Sequence, residues 1–438
     1  MADPGMSVSP YWELTFDTNG DVDPSERDRL LAQVTERGVR DLVVFAHGWN
    51  EDRSAATALY RRFFAPFPGL APHARLGYVG VVWPSMRFSD EPIPDFPKSV
   101  VATEAEAAPG PALDKDTRRA LLAVFPGRAS VLDRLARLLD ERPEGDAGPV
   151  EFGRLVRLLL DGAERPAADT DEPGLPAVFT EDPATACAEF ADALGAVAAP
   201  GGAEGFSLPN PWDGAKELLR QAAYYTMKGR AGTVGEHGLG PLLGRLAAKA
   251  PGVRVHLVGH SFGGRLVSFA LRGLPSAVRT VKSVTLLEGA FSHYAFARRL
   301  PDDPHRSGAL KDQQLRVDGP LVCCYSRFDA ALGTFYPLAA RLSGDDRSCL
   351  GNEIAAVLGP RWGALGHDGV QSVPGTVALD LARALAGGLP ASGCVNIDAA
   401  SVVRRGGPPA GAAPARPHPP QGPVGVAGGR GTRPAAGP

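Results

Sequence analysis

The chain has 438 residues, of which 44% are hydrophobic and 22% charged, with a formal net charge of −3. A balance this near neutrality gives no reason to expect nucleic acid or an anionic membrane surface as a partner. The five cysteines (Cys187, Cys323, Cys324, Cys349 and Cys394) show neither a CxxC pair nor Cys/His ligand spacing, which argues against a disulfide scaffold and a zinc module. No run of 18 apolar residues offers a transmembrane span, and Met1–Pro10 lacks the basic and apolar regions of a secretory signal. The expectation is a cytoplasmic protein.

Residues 11–17 (YWELTFD) predict a first strand. Asp23-Pro24-Ser25-Glu26 then predicts a helix start, with Asp23 as N-cap, Pro24 in the first turn and Glu26 at the third position. That helix should run to about Arg37. The intervening DTNGDVD is similar to a calcium-binding loop, but it lacks the Gly at position six and the Glu at position twelve, so no calcium site is expected. Residues 41–46 (DLVVFA) form a continuous apolar run, the pattern of a strand buried on both faces of a parallel sheet. A helix near 54–66 and a strand at 76–83 complete a βαβ unit.

From 87 to 232 the character changes. Residues 89–111 read as loop, and amphipathic helices are predicted at 115–124, 129–141, 150–162, 184–197 and 213–228, with no strand among them. The sheet pattern returns with a helix near 238–250, a strand at 253–258, a helix at 262–273 and strands at 281–287 and 319–325. A helix at 375–387 and a last apolar run at 395–397 follow, with Val402-Val403 just after. From 406 onward the residues are almost all Gly, Pro, Ala and Arg, a composition that cannot build a core. The predicted architecture is α/β. A mainly parallel sheet flanked by helices is built from 1–86 and 233–401, with a helical insertion at 87–232 and a disordered tail at 402–438.

The strongest chemical signal is Gly259-His260-Ser261-Phe262-Gly263-Gly264, between an apolar strand and a helix. G-x-S-x-G needs small residues on both sides because the turn is strained and the backbones crowd. The turn lifts the Ser261 hydroxyl above the sheet, at a helix N-terminus whose N–H groups favour a developing oxyanion. The bland reading is an ordinary Gly-rich turn. A second signal, His47-Gly48-Trp49-Asn50, closes the strand at 41–46.

With these motifs the sequence resembles the α/β-hydrolase superfamily on its esterase/lipase-like side, over roughly 38–86 and 233–400. The resemblance implies a nucleophilic serine, then an acid after a later strand, then a histidine after the last strand. Carried over, Ser261 is the nucleophile, Gly259 and Gly263 are the elbow glycines, and the oxyanion donors are the N–H groups of Phe262 and of Trp49 or Gly48. His47 braces the loop. The acid is Asp329, just past the strand at 319–325, with Asp302 or Asp303 as the alternative. The base has three readings: His367, in a Gly-rich loop; His418, in the tail; or no residue of this chain. His293 reads as lining the pocket or packing.

One explanation for a missing base is that the GC-rich codons of Gly, Ala, Pro and Arg produce such a tail when a gene is read out of frame. On this hypothesis the true last loop, with its histidine, is replaced from near Gly406, and an intact reading frame through the tail would overturn it. The helical insertion reads either as an added packing layer or as a lid or pocket wall over Ser261.

No metal or organic cofactor is implied. A kinase is excluded by the missing Gly after Gly238-Leu239-Gly240 and by the lack of HRD and DFG sequences, and no Walker A loop occurs. The expected function is ester hydrolysis through a Ser-His-Asp triad, on a small-molecule ester that carries an apolar acyl group. The rivals are an inactive scaffold that binds a ligand and a chain without its catalytic C-terminus.

Overall fold

Eight segments form one all-parallel sheet: β1 (Tyr11–Thr15), β2 (Asp41–Ala46), β3 (Leu76–Val82), β4 (Arg254–His260), β5 (Val281–Leu287), β6 (Pro320–Tyr325), β7 (Val377–Asp380) and β8 (Gly393–Asp398). The spatial order is β1-β3-β2-β4-β5-β6-β8-β7. The computed structural model describes residues 5–49, 51–86, 88, 112–161, 179, 182–198, 210–301, 303–328 and 363–403. The tail from 404, with His418, and the segments holding Asn50, Asp302 and Asp329 lie outside the described residues.

The helices in chain order are α1 (Pro24–Glu36), α2 (Arg53–Phe64), α3 (Phe67–Leu70), α4 (Lys115–Val124), α5 (Ala129–Glu141), α6 (Ala147–Leu160), α7 (Pro183–Ala198), α8 (Pro211–Thr233), α9 (Gly240–Lys249), α10 (Phe262–Gly273), α11 (Leu365–Asp368) and α12 (Leu381–Gly387). Several starts follow caps in the sequence. Asp23 accepts from the Ser25 and Glu26 N–H groups, Asp52 from Ala55, Asp114 from Asp116 and Thr117, and Asn210 from Trp212. Each such cap contributes about 1 kcal/mol.

Alternation along the strands divides the core. Leu42, Val44, Val255, Leu257, Val284 and Leu286 face a cluster built with Leu30 and Val34 of α1 and with α8, α9 and α10. Val43, Phe45, Tyr78 and Val258 face the opposite side, under Leu59, Tyr60 and Phe64 of α2. Further along that second side, Leu381 and Ala384 of α12 pack on Val322, Val395 and Ile397. Each fully buried side chain of this size contributes roughly 1.5–3 kcal/mol.

The helices between β3 and β4 share the first cluster. Leu135 and Leu139 of α5, Phe152 and Leu159 of α6 and Leu218 of α8 are continuous with the sheet's own core. Among the described residues no strand lies between β3 and β4, as the sequence predicts.

Three predicted boundaries are corrected. The helices expected at 213–228 and 238–250 are one continuous rod, because a π-helical turn at Val234–Leu239 joins α8 to α9. The glycines at this join serve close packing: a Cβ on Gly240 would lie 2.5 Å from the Ala270 carbonyl oxygen, and one on Gly235 would overlap that of Leu266. The helix predicted at 375–387 begins with the edge strand β7 and becomes helix only at Leu381, where Asp380 caps it through the Arg383 N–H. Val402 and Val403, assigned to the tail, close a turn onto Ala399, and the Val403 carbonyl accepts from Ser326 Oγ at 2.8 Å. In the calcium-like loop Asp17 is committed to the backbone N–H groups of Asn19 and Asp21. Among the described residues no helix is long and apolar enough to cross a membrane.

Candidate active site

β2 and β4 are neighbours, yet the chain leaves β2 toward β3 on one side and leaves β4 toward β5 on the other. Between two such diverging connections a crevice opens at the carboxyl ends of the strands, where ligands of open α/β sheets bind. The two sequence motifs flank this point. His47-Gly48-Trp49 follows β2, and Ser261 follows β4.

Ser261 has φ +52° and ψ −118°, a conformation that a residue with a Cβ adopts only under restraint. The restraint is visible. The Ser261 N–H donates to the Leu287 carbonyl at 3.0 Å, and its carbonyl accepts from Gly264 at 3.0 Å and from Ala290 at 3.3 Å. The flanking glycines are required by contact: a Cβ on Gly259 would lie 2.5 Å from the Gly264 nitrogen, and one on Gly263 would lie 2.5 Å from the His47 carbonyl oxygen. Ser261 therefore stands at the mouth of α10, whose first N–H groups have no intrahelical acceptor. Phe262 is the first residue of that helix and is fully buried.

The loop after β2 lies against this turn. A Cβ on Gly48 would be 3.1 Å from Ser261 Cβ and 3.1 Å from His260 Nδ1. Trp49 stands edge-on to Phe262, with ring centroids 6.1 Å apart. The structure thus brings Ser261, Phe262, Gly48 and Trp49 together.

His47 lies beneath the loop, 1% exposed. Its Nδ1 is 2.8 Å from the Gly48 carbonyl, which can only accept, so the proton sits on Nδ1. Nε2 then accepts from the Trp83 N–H at 3.5 Å, and the Trp83 indole N–H donates to the His47 carbonyl at 3.0 Å. Burial pushes the imidazole down to about 4, outweighing the opposing pull of its bond to Gly48. A neutral imidazole clamped on both nitrogens braces the loop.

The sign of its pH effect follows. An unfolded His47 binds a proton below about 6.5, whereas the folded one resists until about 4. The unfolded state therefore gains protons first as pH falls, and this group alone should remove about 3 kcal/mol of stability between those limits. Urea denaturation from pH 7 to pH 4 should show a shallower loss in His47→Gln than in wild type. Equal slopes would reject the assignment.

His367, the predicted base, lies in α11. The segment around it is pinned to the strand ends beside the nucleophile. The Leu365 N–H donates to Phe291, Gly366 to Gly289 and Ser326 to Gly366, while Ala290 bonds the Ser261 carbonyl. His367 Nδ1 is 2.7 Å from Asp368 Oδ1, and His293 Nδ1 is 3.1 Å from Asp368 Oδ2. Burial opposes ionisation of Asp368, but the bonds from His293 and His367 outweigh it and hold its carboxyl well below the usual carboxylate range. An ionised carboxylate only accepts, so both rings donate from Nδ1. The neutral His367 ring then carries its lone pair on Nε2.

Asp368 is a carboxylate that the sequence analysis did not single out. Its only signal was adjacency to His367, because its other partner, His293, is 75 residues away. His293 is 4% exposed and sits within this cluster, against Asp368. Asp303, the alternative acid, is taken up in a turn, where it accepts from the His305 N–H.

Two further residues were not foreseen. Glu288, at the end of β5, has φ +48° and faces His260 across 3.9 Å. Tyr224 comes from α8; its ring lies 4.6 Å from that of Phe262 and 5.4 Å from that of Trp49, and its hydroxyl donates to the Ala290 carbonyl at 3.4 Å. With Phe88, 5.9 Å from Trp49, these rings line the insertion side of the elbow.

Fold and site together define a parallel α/β protein with a strained serine turn at its topological switch point. Comparison with protein-family models, curated proteins and solved structures finds no match to this chain.

Proposed function

We propose that the chain is a serine hydrolase of the α/β-hydrolase type that acts on carboxylic esters. The observation that carries this reading is the backbone of Ser261, held at φ +52° between a buried strand and a helix N-terminus, with the Gly48 loop against it. Such strain persists only where the surroundings enforce it, and it presents the hydroxyl above the sheet. Ser261 Oγ attacks the carbonyl carbon. His367 Nε2 takes the proton and returns it to the departing alcohol. Asp368 holds His367 in the tautomer this requires and stabilises the imidazolium. The N–H groups of Phe262 and of Trp49 or Gly48 receive the oxyanion. The rings of Trp49, Tyr224 and Phe88 favour an apolar acyl group.

The test is covalent labelling with a fluorophosphonate, followed by peptide mapping of wild type and Ser261→Ala. An adduct on the Ser261 peptide of the wild type, absent from the variant, supports the reading. A folded wild type that leaves Ser261 unlabelled overturns it and favours the scaffold that binds without turnover.

A further inference from the structure

A hydrogen-bonded chain of serine, histidine and aspartate lies at the other end of the sheet. Ser283 Oγ is 2.8 Å from His256 Nδ1, and His256 Nε2 is 3.0 Å from Asp41 Oδ1. The three residues belong to β5, β4 and β2, neighbouring strands in which His256 is registered against both Ser283 and Val43. His256 precedes Ser261 by five strand positions, about 16 Å at the usual rise, so this group is separate from the elbow.

The protonation pattern is fixed by its ends. Arg254 grips Asp41 with Nε at 2.7 Å and Nη2 at 2.6 Å, which keeps the carboxylate ionised and limited to accepting. His256 must then donate from Nε2, and in the neutral ring Nδ1 accepts the proton of Ser283.

The chain is also reachable. α2 covers the strand face on one side and α12 on the other, while His256 lies between these two clusters with its side chain 31% exposed. Ser283 is half-buried, as are its neighbours Lys282 and Thr285.

We propose that Ser283 is a second activated serine, a stoichiometric acceptor of acyl groups from small activated esters. Its oxygen attacks the ester carbonyl, the Oγ–acyl bond forms as the bond to the alcohol breaks, and the serine proton passes through His256 Nδ1 to the departing alcohol. Turnover is not expected. β5 lies inside the sheet, with its backbone committed to β4 and β6, so no N–H pair is free to hold an oxyanion and speed deacylation.

The experiment uses the Ser261→Ala protein, which removes the elbow, and p-nitrophenyl acetate as probe. Peptide mapping should find one acetyl group on Ser283, absent from Ser261→Ala/Ser283→Ala. Labelling should slow by at least tenfold in Ser261→Ala/His256→Gln, with the fold checked by circular dichroism. No acetyl group on Ser283 in folded Ser261→Ala overturns the proposal, and so does equal labelling with and without His256. Should the His256 variant fail to fold, the comparison passes to Asp41→Asn, for which the same tenfold loss is expected and no change is fatal. Failure of Ser261 to label leaves this test untouched, because the elbow serine is absent throughout.

Discussion

Ser261→Ala should lower kcat on an activated ester by about 10⁴–10⁶-fold while leaving the fold intact. On the proposed mechanism His367→Gln should fall into the same range, because a nucleophile and its base act as one unit and the loss of either disables both. A stability measurement separates this from general damage. The φ of +52° at Ser261 costs a residue with a Cβ about 1–3 kcal/mol, and glycine escapes that cost. Ser261→Gly should therefore be inactive yet about 1 kcal/mol more stable in urea than Ser261→Ala. If the two variants unfold at the same concentration, the turn stores no strain, and the argument for an enforced nucleophile loses its base.

The second large effect contrasts two adjacent glycines. A Cβ on Gly263 would overlap the Ala46 carbonyl oxygen and lie 2.5 Å from that of His47, both rigid backbone at the end of β2. Gly263→Ala should cost roughly 3 kcal/mol or more and push the Gly48 loop away from Ser261. Any activity should drop with it by more than about 10²-fold, the usual effect of losing an oxyanion donor. Gly264 is different. A Cβ there would find its nearest neighbour, the Gly259 carbonyl oxygen, at an ordinary 3.4 Å. In helix α10, Gly264→Ala should be neutral or stabilise by up to about 1 kcal/mol. Thermal melts of the two variants check both statements, and a Gly263→Ala protein as stable as wild type would mean that β2 and the elbow are not in contact.

Much of this was legible in the sequence because the signals were local. DLVVFA could only be a strand buried on both faces, and Asp23-Pro24-Ser25-Glu26 carried its own cap. The elbow was readable because one strained turn demands glycines at fixed offsets. What stayed hidden depends on tertiary contact. The short strand β7, Val-Ala-Leu-Asp at the sheet edge, runs straight into the apolar-rich helix α12, so its three apolar residues read as the first turn of that helix. The joined α8–α9 rod hides behind glycines whose packing reason lies in α10. Asp368 gains its role from two histidines, one adjacent and one 75 residues earlier, and no spacing rule anticipates that pair. Tyr224 reaches the site from a helix that the sequence marked only as part of an insertion.

The strand order also bears on how the chain is made. β2 joins β4 across the helical insertion, and the ion pair between Asp41 and Arg254 spans 213 residues. During synthesis β1, β3 and β2 can pair with one another as soon as they emerge, but the other edge of β2 has no partner until β4 follows. At ordinary translation rates that delay is about 10–40 s. Throughout it, an apolar strand destined for complete burial presents unpaired backbone groups, the usual template for contacts between nascent chains. Native pairings of such long range also close slowly, because the loop entropy must be lost before the contacts form. The helices of the insertion are made during this interval, and the apolar faces that later join the sheet's core are the nearest available shelter for the waiting half-sheet.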